Sequence, residues 1–129
     1  DSMRLIFYVS AKIHMAPVTR SDLHYIGCIT LDKKLLELTG MEKNERVLVV
    51  NNTSGSRLET YIIEGEYGSG CIEMNGAAAH LIHPGDEVII MAFTLAAEAF
   101  EPTTILVDEN NQFLRYLNPA QGQTVADLK

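Results

Sequence analysis

The sequence is organised around the stretch His24-Tyr25-Ile26-Gly27-Cys28-Ile29-Thr30-Leu31-Asp32, in which a glycine stands directly before a thiol. Gly27 has no Cβ, so its carbonyl can be approached closely and its backbone can adopt strained angles. The Cys28 thiol lies one residue after that carbonyl, and its attack there would close a five-membered ring. Such an N-to-S acyl shift is the first step of self-cleavage. On the dipeptide alone, the commoner alternative is a glycine bend followed by a small buried cysteine.

Outward from this stretch, the sequence predicts many short strands and few helices. Residues rich in β-branched and aromatic side chains indicate strands at 4–14, 27–31, 46–52, 57–64, 71–74, 87–94, 103–107 and 112–117. The apolar run at 87–94 is expected to be buried on both faces. Asp32 is typical of a helix N-cap and Gly40 of a helix stop, and the alanines from Ala77 predict a second helical turn. Because no βαβ rhythm is present, the pattern indicates a mainly β fold, a small barrel with short capping helices.

The chain of 129 residues is long enough for one domain with its own core. We predict a single domain over residues 1–117, followed by a flexible C-terminal tail at 118–129 that contains Pro119 and Gly122. No apolar run approaches the length of a membrane span, so we expect neither a membrane partner nor a secretory leader.

Composition narrows the class of partner. The net charge of −7 argues against nucleic-acid binding, which needs a basic face. The two cysteines form neither a disulfide framework nor a zinc set, and reduced thiols favour a cytoplasmic location. The four histidines show no metal-ligand spacing, so we expect no metal site.

Four separated motifs carry a resemblance. They are Lys12-Ile13-His14, Tyr25-Ile26-Gly27-Cys28, Gly55-Ser56-Arg57-Leu58-Glu59-Thr60-Tyr61 and Asn75-Gly76-Ala77-Ala78-Ala79. Each motif alone is a weak signal, but four in register between about Arg4 and Val107 are highly specific. Together they resemble the aspartate 1-decarboxylase family, small pyruvoyl-dependent enzymes of pantothenate biosynthesis.

The resemblance implies a double-psi β-barrel that assembles as a homotetramer, with active sites between subunits. It also implies an enzyme that makes its own cofactor. In the usual member, a serine attacks the preceding glycine carbonyl, and elimination and hydrolysis leave a pyruvoyl group on the larger fragment. That ketone condenses with L-aspartate as a Schiff base, the α-carboxylate leaves as carbon dioxide, and β-alanine is released.

The same resemblance implies a role for each motif residue. Arg57 and Lys12 would hold the two carboxylates of aspartate, with Arg57 able to bind one of them bidentately. Tyr61 would protonate the carbanion-like intermediate. Thr60 would donate a hydrogen bond to the oxyanion formed on the Gly27 carbonyl. The alternative for each is an ordinary surface charge or strand residue.

The remaining motif residues are expected to shape the site. His14 would assist proton movement, and Tyr25 and Asn75 would shape the cleft and position groups by hydrogen bonds. Ala77 and Ala78 would leave room and backbone donors near the bound acid. A packing role is nearly as good an interpretation for the two alanines.

The chain departs from the family pattern at residue 28, where cysteine replaces the usual serine. A thiolate is a better nucleophile than a hydroxyl, so the first shift can proceed. The resulting thioester can eliminate and release a thiocarboxylate from Gly27. It can also hydrolyse, which would leave an amino-terminal Cys28 and no pyruvoyl group. The chain is therefore interpreted as an L-aspartate decarboxylase that matures by cleavage between Gly27 and Cys28, or as its uncleaved precursor.

Two alternatives remain beside this interpretation. One keeps the site but changes the amino acid or makes Cys28 itself the working group. The other is a barrel that does not mature and serves as a binding or regulatory protein. A maturation factor that assists cleavage is a further partner to consider.

Overall fold

The computed structural model describes residues 3–118, which form mainly β structure, as predicted. The strands are β1 Ile6–Pro17, β2 Arg20–Asp22, β3 Ile29–Asp32, β4 Arg46–Asn51, β5 Arg57–Gly65, β6 Ile72–Asn75, β7 Glu87–Ala96, β8 Thr103–Val107 and β9 Phe113–Leu117. One short α-helix, α1, spans Lys33–Thr39, and a 3₁₀ helix spans Gly76–His80. Apart from Asn118, the predicted tail lies outside the described residues, so the domain boundary stays a prediction.

The described strands form one mixed sheet in the order β2-β6-β3-β5-β4-β7-β1-β8-β9. Three pairs are parallel, namely β1 with β8, β2 with β6, and β3 with β5, and the other neighbours are antiparallel. Parallel pairing brings together segments that are far apart in the chain. This mixture is consistent with the double-psi barrel that the motifs imply.

Alternating side chains build the core. Along β4 and β7, residues such as Val47, Val49, Val88 and Ile90 are fully buried and belong to one continuous cluster. The prediction that β7 is buried on both faces is wrong, because Phe93 on its outer face is 41% exposed. Within residues 3–118 no second layer covers that outer face, so β7 alternates like the strands beside it.

The predicted ends of α1 are confirmed. The Asp32 carboxylate accepts a hydrogen bond from the Lys34 backbone N–H at 2.8 Å, as an N-cap does. Gly40 adopts φ 80° and its N–H donates to the Leu36 carbonyl at 2.8 Å, which closes the helix in the left-handed conformation.

Asp32 also fixes a distant loop. It is only 1% exposed, and its two carboxylate oxygens accept the backbone N–H groups of Gly68 at 2.7 Å and Gly70 at 2.8 Å. One carboxylate therefore joins the end of β3, the start of α1 and the loop before β6. This anchoring holds β3 in register beside β6.

Replacing Asp32 by alanine is expected to destabilise the fold by about 2–5 kcal/mol, because a helix cap is lost and buried N–H groups lose their acceptor. Urea unfolding of Asp32→Ala measures the loss. Asp108→Ala is the matched control, because Asp108 also accepts two backbone N–H groups but in a more exposed turn. Equal losses in the two variants would contradict this role of Asp32.

Candidate active site

The strand register places the predicted nucleophile between two motifs that are distant in sequence. Ile29 on β3 pairs with Ile62 on β5 and with Met74 on β6. Continued one residue backwards, this register sets Cys28 beside Tyr61 on one side and beside Asn75 on the other. The Asn75 N–H donates to the Cys28 carbonyl at 2.8 Å, which extends the β3–β6 ladder to the cleavage site.

Gly27 occupies a conformation that other residues rarely adopt. Its φ is 130°, and a Cβ built on it would collide with the side chain of Ile63 on β5. Its carbonyl oxygen lies beside Gly76. A Cβ added to Gly76 would stand 3.2 Å from that oxygen. Glycine is therefore required for close approach on both sides of the peptide bond that is expected to break.

Thr60 supplies an unused donor. Its Oγ1 is buried and has no hydrogen-bond partner among the described residues. Thr60 lies two residues before Ile62, which pairs with Ile29 at the start of β3, so it lies on the part of β5 that leads up to the Gly27–Cys28 segment. A buried hydroxyl without a partner costs about 1–3 kcal/mol, so the Thr60 hydroxyl does not stabilise the fold.

The other motif residues on β5 lie on its opposite face. Burial along β5 alternates, which confirms the prediction that Arg57 and Glu59 share one face and Leu58 and Thr60 the other. Tyr61 is 42% exposed and follows Arg57 and Glu59 on the outer face.

The charged side chains on this outer face of β5 differ in whether they form an ion pair. Glu59 forms an ion pair with Arg46 of the neighbouring strand β4. Arg57, by contrast, makes no ion pair within the described part of the chain. Its guanidinium is therefore available for a carboxylate of a ligand.

Hydrogen bonds of the buried Asn51 fix the hairpin turn that precedes Arg57. Asn51 is fully buried, its Oδ1 accepts the Thr53 N–H at 3.0 Å, and its Nδ2 donates to Asp86 at 2.8 Å. Donation from the His83 backbone N–H and from Asn51 lowers the pKa of Asp86 below its ordinary value. Because the pKa of Asp86 is lower in the folded state, its hydrogen bonds stabilise the fold fully at pH values above the ordinary pKa. This stabilisation is lost as the pH falls through the lowered pKa.

Lys12 and His14 lie elsewhere on the sheet. Lys12 pairs with Met91, Met91 with Leu48, and Leu48 with Glu59, so β1 lies three strands from β5. At roughly 4.8 Å per strand this is about 14 Å along the sheet. Along the strand order, the Lys12 motif is therefore separated from β5 by β4 and β7.

The fourth motif, which begins at Asn75, and Tyr25 flank the Gly27–Cys28 peptide. Asn75 is 3% exposed, and its Nδ2 donates to the Thr30 hydroxyl at 2.9 Å. Ala78 is buried in the 3₁₀ helix, whereas Ala77 faces solvent. Tyr25 is 53% exposed, in the loop before β3.

Sequence reasoning missed the Thr30 contact and a second glycine–cysteine pair. Thr30 lies two residues after Cys28, and residues two apart on a strand share a face. This spacing could have indicated Thr30 as a candidate site residue. The second pair, Gly70–Cys71, carries the same two residue types as the predicted cleavage site.

Three observations distinguish Gly70–Cys71 from Gly27–Cys28. The Gly70 carbonyl already accepts a hydrogen bond from Asn111 Nδ2 at 2.9 Å. The Cys71 thiol packs against Gly65 so closely that a Cβ there would collide with it. Burial raises the pKa of Cys71 above its ordinary value, which keeps the thiol protonated and poorly nucleophilic. Cleavage chemistry is therefore favoured at Cys28.

Residues 3–118 contain no cluster of three or more histidine, cysteine or acidic side chains placed to hold a metal ion. Over the same residues, no helix has the length and apolar character needed to cross a membrane.

The sequence matches a family of decarboxylases over most of its length. The family model described as Aspartate decarboxylase matches residues 3–114, and the chain belongs to that family. The resemblance carried by the motifs is thus confirmed, as is the assignment to an enzyme family.

Individual relatives agree with this assignment. The aspartate 1-decarboxylase of Bacillus cereus is 45% identical over 119 residues, which cover 89% of this chain and 94% of the relative. That of Bacillus pumilus is 44% identical over 122 residues, which cover 92% and 96% of the two chains. A computationally designed protein, msDPBB_sym2, matches with a TM-score of 0.42 at 18% identity, covering 69% of this chain and 99% of the design.

Proposed function

We propose that this chain is a pyruvoyl-dependent decarboxylase that converts L-aspartate to β-alanine and carbon dioxide after cleaving itself between Gly27 and Cys28. Family membership and relatives named aspartate 1-decarboxylase support the reaction class. The observation that carries the self-cleavage is the buried, unpartnered Thr60 hydroxyl, two residues before the residue that pairs with Ile29.

Cleavage proceeds in two bond-breaking steps. The Cys28 sulfur attacks the Gly27 carbonyl carbon, the bond from that carbon to the Cys28 nitrogen breaks, and the nitrogen takes up the thiol proton. Loss of the Cys28 Cα proton then breaks the Cβ–Sγ bond, leaving a thiocarboxylate on Gly27 and an enamine at position 28. Water converts that enamine to a ketone and releases ammonia, so one water is consumed and no oxidant is needed.

The described contacts suit each step. Thr60 would donate to the oxygen of Gly27 as that oxygen gains negative charge, which is the role of an oxyanion-hole donor. The Asn75 N–H bonded to the Cys28 carbonyl draws electrons from that carbonyl, which makes the adjacent Cα proton easier to remove. Gly27 can hold its φ of 130° because it has no Cβ.

The surroundings of Cys28 also fit a pyruvoyl group at the same position. Such a group supplies a ketone that condenses with the substrate amine and withdraws electrons from the bond that is broken. The Asn75 N–H would hold the carbonyl oxygen next to it. Arg57 and Lys12 would bind the two substrate carboxylates, and Tyr61 would hold the proton for the product.

We further propose that the site is completed in a homotetramer. Lys12 and His14 lie three strands from β5 in their own chain, so a neighbouring subunit must bring a copy of them to Cys28. The outer face of β1 and β7 exposes large apolar side chains, including 73% of Phe7 and 41% of Phe93. They line a cleft of about 410 Å³ together with Arg46 and Glu59, next to Tyr61 on β5. Burial of such a face between subunits is favourable.

Both cysteines are unpaired thiols in the described structure, which supports a reducing, cytoplasmic location for the enzyme.

Thr60→Val tests the proposal. We expect cleavage to slow by about 100- to 1,000-fold, because an oxyanion donor is lost. Stability should be unchanged or raised, because the hydroxyl that is removed has no partner. Intact mass against time gives the cleavage rate, and urea unfolding gives the stability.

Thr104→Val is the matched control. The Thr104 hydroxyl is also buried and unpartnered within residues 3–118, but it lies on β8 away from Gly27. The control should gain similar stability and cleave at the parent rate. A Thr60→Val chain that cleaves as fast as the parent would remove Thr60 from the reaction.

A further inference from the structure

We propose that Thr30 is a positioning residue for self-cleavage, acting through the side chain of Asn75. The inference rests on the proposed cleavage between Gly27 and Cys28. Its basis is a buried hydrogen bond, 2.9 Å from Asn75 Nδ2 to Thr30 Oγ1, that joins β6 to β3 immediately beside the nucleophile.

The geometry follows from the two strands. Thr30 lies on β3, two residues after Cys28, whose carbonyl continues the β3–β6 ladder, so both side chains leave the same face. Asn75 lies opposite Cys28 on β6, as shown by its N–H donating to the Cys28 carbonyl at 2.8 Å. Its amide reaches diagonally along that face to Thr30, a distance that such side chains span.

The two contacts hold Asn75 at both its backbone and its side chain. Thr30 is 9% exposed and Asn75 is 3% exposed, so water does not readily replace the hydroxyl. Without that hydroxyl, the Asn75 amide would lose the one acceptor that its Nδ2 has among the described residues. The amide would then rotate away from its present position toward another partner.

A displacement of Asn75 would shift Gly76 and so change the surroundings of the Gly27 carbonyl. Gly76 follows Asn75 directly, and it leaves so little space beside the Gly27 oxygen that a Cβ would stand only 3.2 Å away. A small shift of this segment therefore changes the space and the polarity around the carbonyl that the sulfur attacks. Misplacement of about 1 Å can slow a reaction by 100-fold.

The test compares cleavage rates, by intact mass, of the parent, Thr30→Val, Thr30→Ser, Asn75→Ala and the Thr30→Val/Asn75→Ala double variant. Thr30→Val keeps the volume and removes the hydroxyl, and it is expected to slow cleavage by about tenfold or more. Thr30→Ser keeps the hydroxyl and should recover most of the rate. The double variant should be no slower than Asn75→Ala, because Thr30 acts only through Asn75.

Thr39→Val is the control for a purely structural effect. The Thr39 hydroxyl is also buried and donates to the Leu35 carbonyl at 2.7 Å, but in α1, away from the cleavage site. This variant should lower the unfolding midpoint while cleaving at the parent rate.

Two results would overturn the inference while leaving the proposed function in place. One is a Thr30→Val chain that cleaves at the parent rate. The other is a double variant slowed by the product of the two single effects, which would show that Thr30 acts independently of Asn75. If neither the parent nor Cys28→Ser cleaves, the proposed function fails and the role of Thr30 fails with it.

Discussion

Replacing Cys28 by serine is expected to yield a chain that cleaves itself and converts L-aspartate to β-alanine faster than the parent. Serine has nearly the volume of cysteine and is the usual nucleophile that the resemblance implies. Its oxygen ester hydrolyses less readily than a thioester, so more of the chain should complete elimination. Asn75 already contacts Cys28 in the structure, through its N–H and the Cys28 carbonyl. Fragment formation on a gel and carbon dioxide release from aspartate measure the two effects.

Matched variants separate the outcomes. Cys28→Ala should not cleave at all, whereas Cys71→Ala should cleave as the parent does, because the Cys71 thiol is held in its protonated form. A Cys28→Ser chain that cleaves fully but does not use aspartate would refute the substrate and favour another amino acid. A folded Cys28→Ser chain that stays intact would favour a barrel with a binding or regulatory role.

The second large effect is expected at Arg57. Arg57→Ala should weaken binding of the dicarboxylate by about 2–5 kcal/mol, the cost of removing one partner of a desolvated charge pair. This corresponds to a fall in kcat/KM of about thirtyfold to several thousandfold. Self-cleavage should continue, because Arg57 lies three residues before Thr60 on the opposite face of β5.

Arg20→Ala is the control for general loss of positive charge. Arg20 lies on the edge strand β2 and is already paired with Asp22 at the surface, so its loss should cost about 1 kcal/mol or less. Steady-state kinetics of the cleaved enzymes give both values. Unchanged aspartate turnover in cleaved Arg57→Ala would remove Arg57 from the site.

Features set by neighbouring residues could be predicted from the sequence. Asp32 and Gly40 mark the ends of α1 because capping depends on one side chain and one backbone conformation. Alternation along β5 follows from the strand period of two, which separates Arg57 from Thr60. The antiparallel hairpin formed by β4 and β5 follows from two apolar runs joined by a short polar turn.

Features that depend on long-range pairing could not be predicted in this way. No local signal shows that β3 lies between β5 and β6, so the Asn75–Thr30 contact is visible only in the structure. The separation of Lys12 from β5 likewise follows from the strand order. The exposed outer face of β7 was missed because a run of apolar residues does not reveal which face a chain leaves uncovered.

The most direct test of the central claim is the intact mass of the purified parent chain before and after prolonged warming. The account predicts two fragments separated between Gly27 and Cys28. The smaller should end in a thiocarboxylate, with sulfur in place of one carboxyl oxygen, and the larger should begin with a ketone and resist Edman sequencing. A chain of unchanged mass, a cut at Gly70–Cys71, or a larger fragment with a free amino-terminal Cys28 would contradict it.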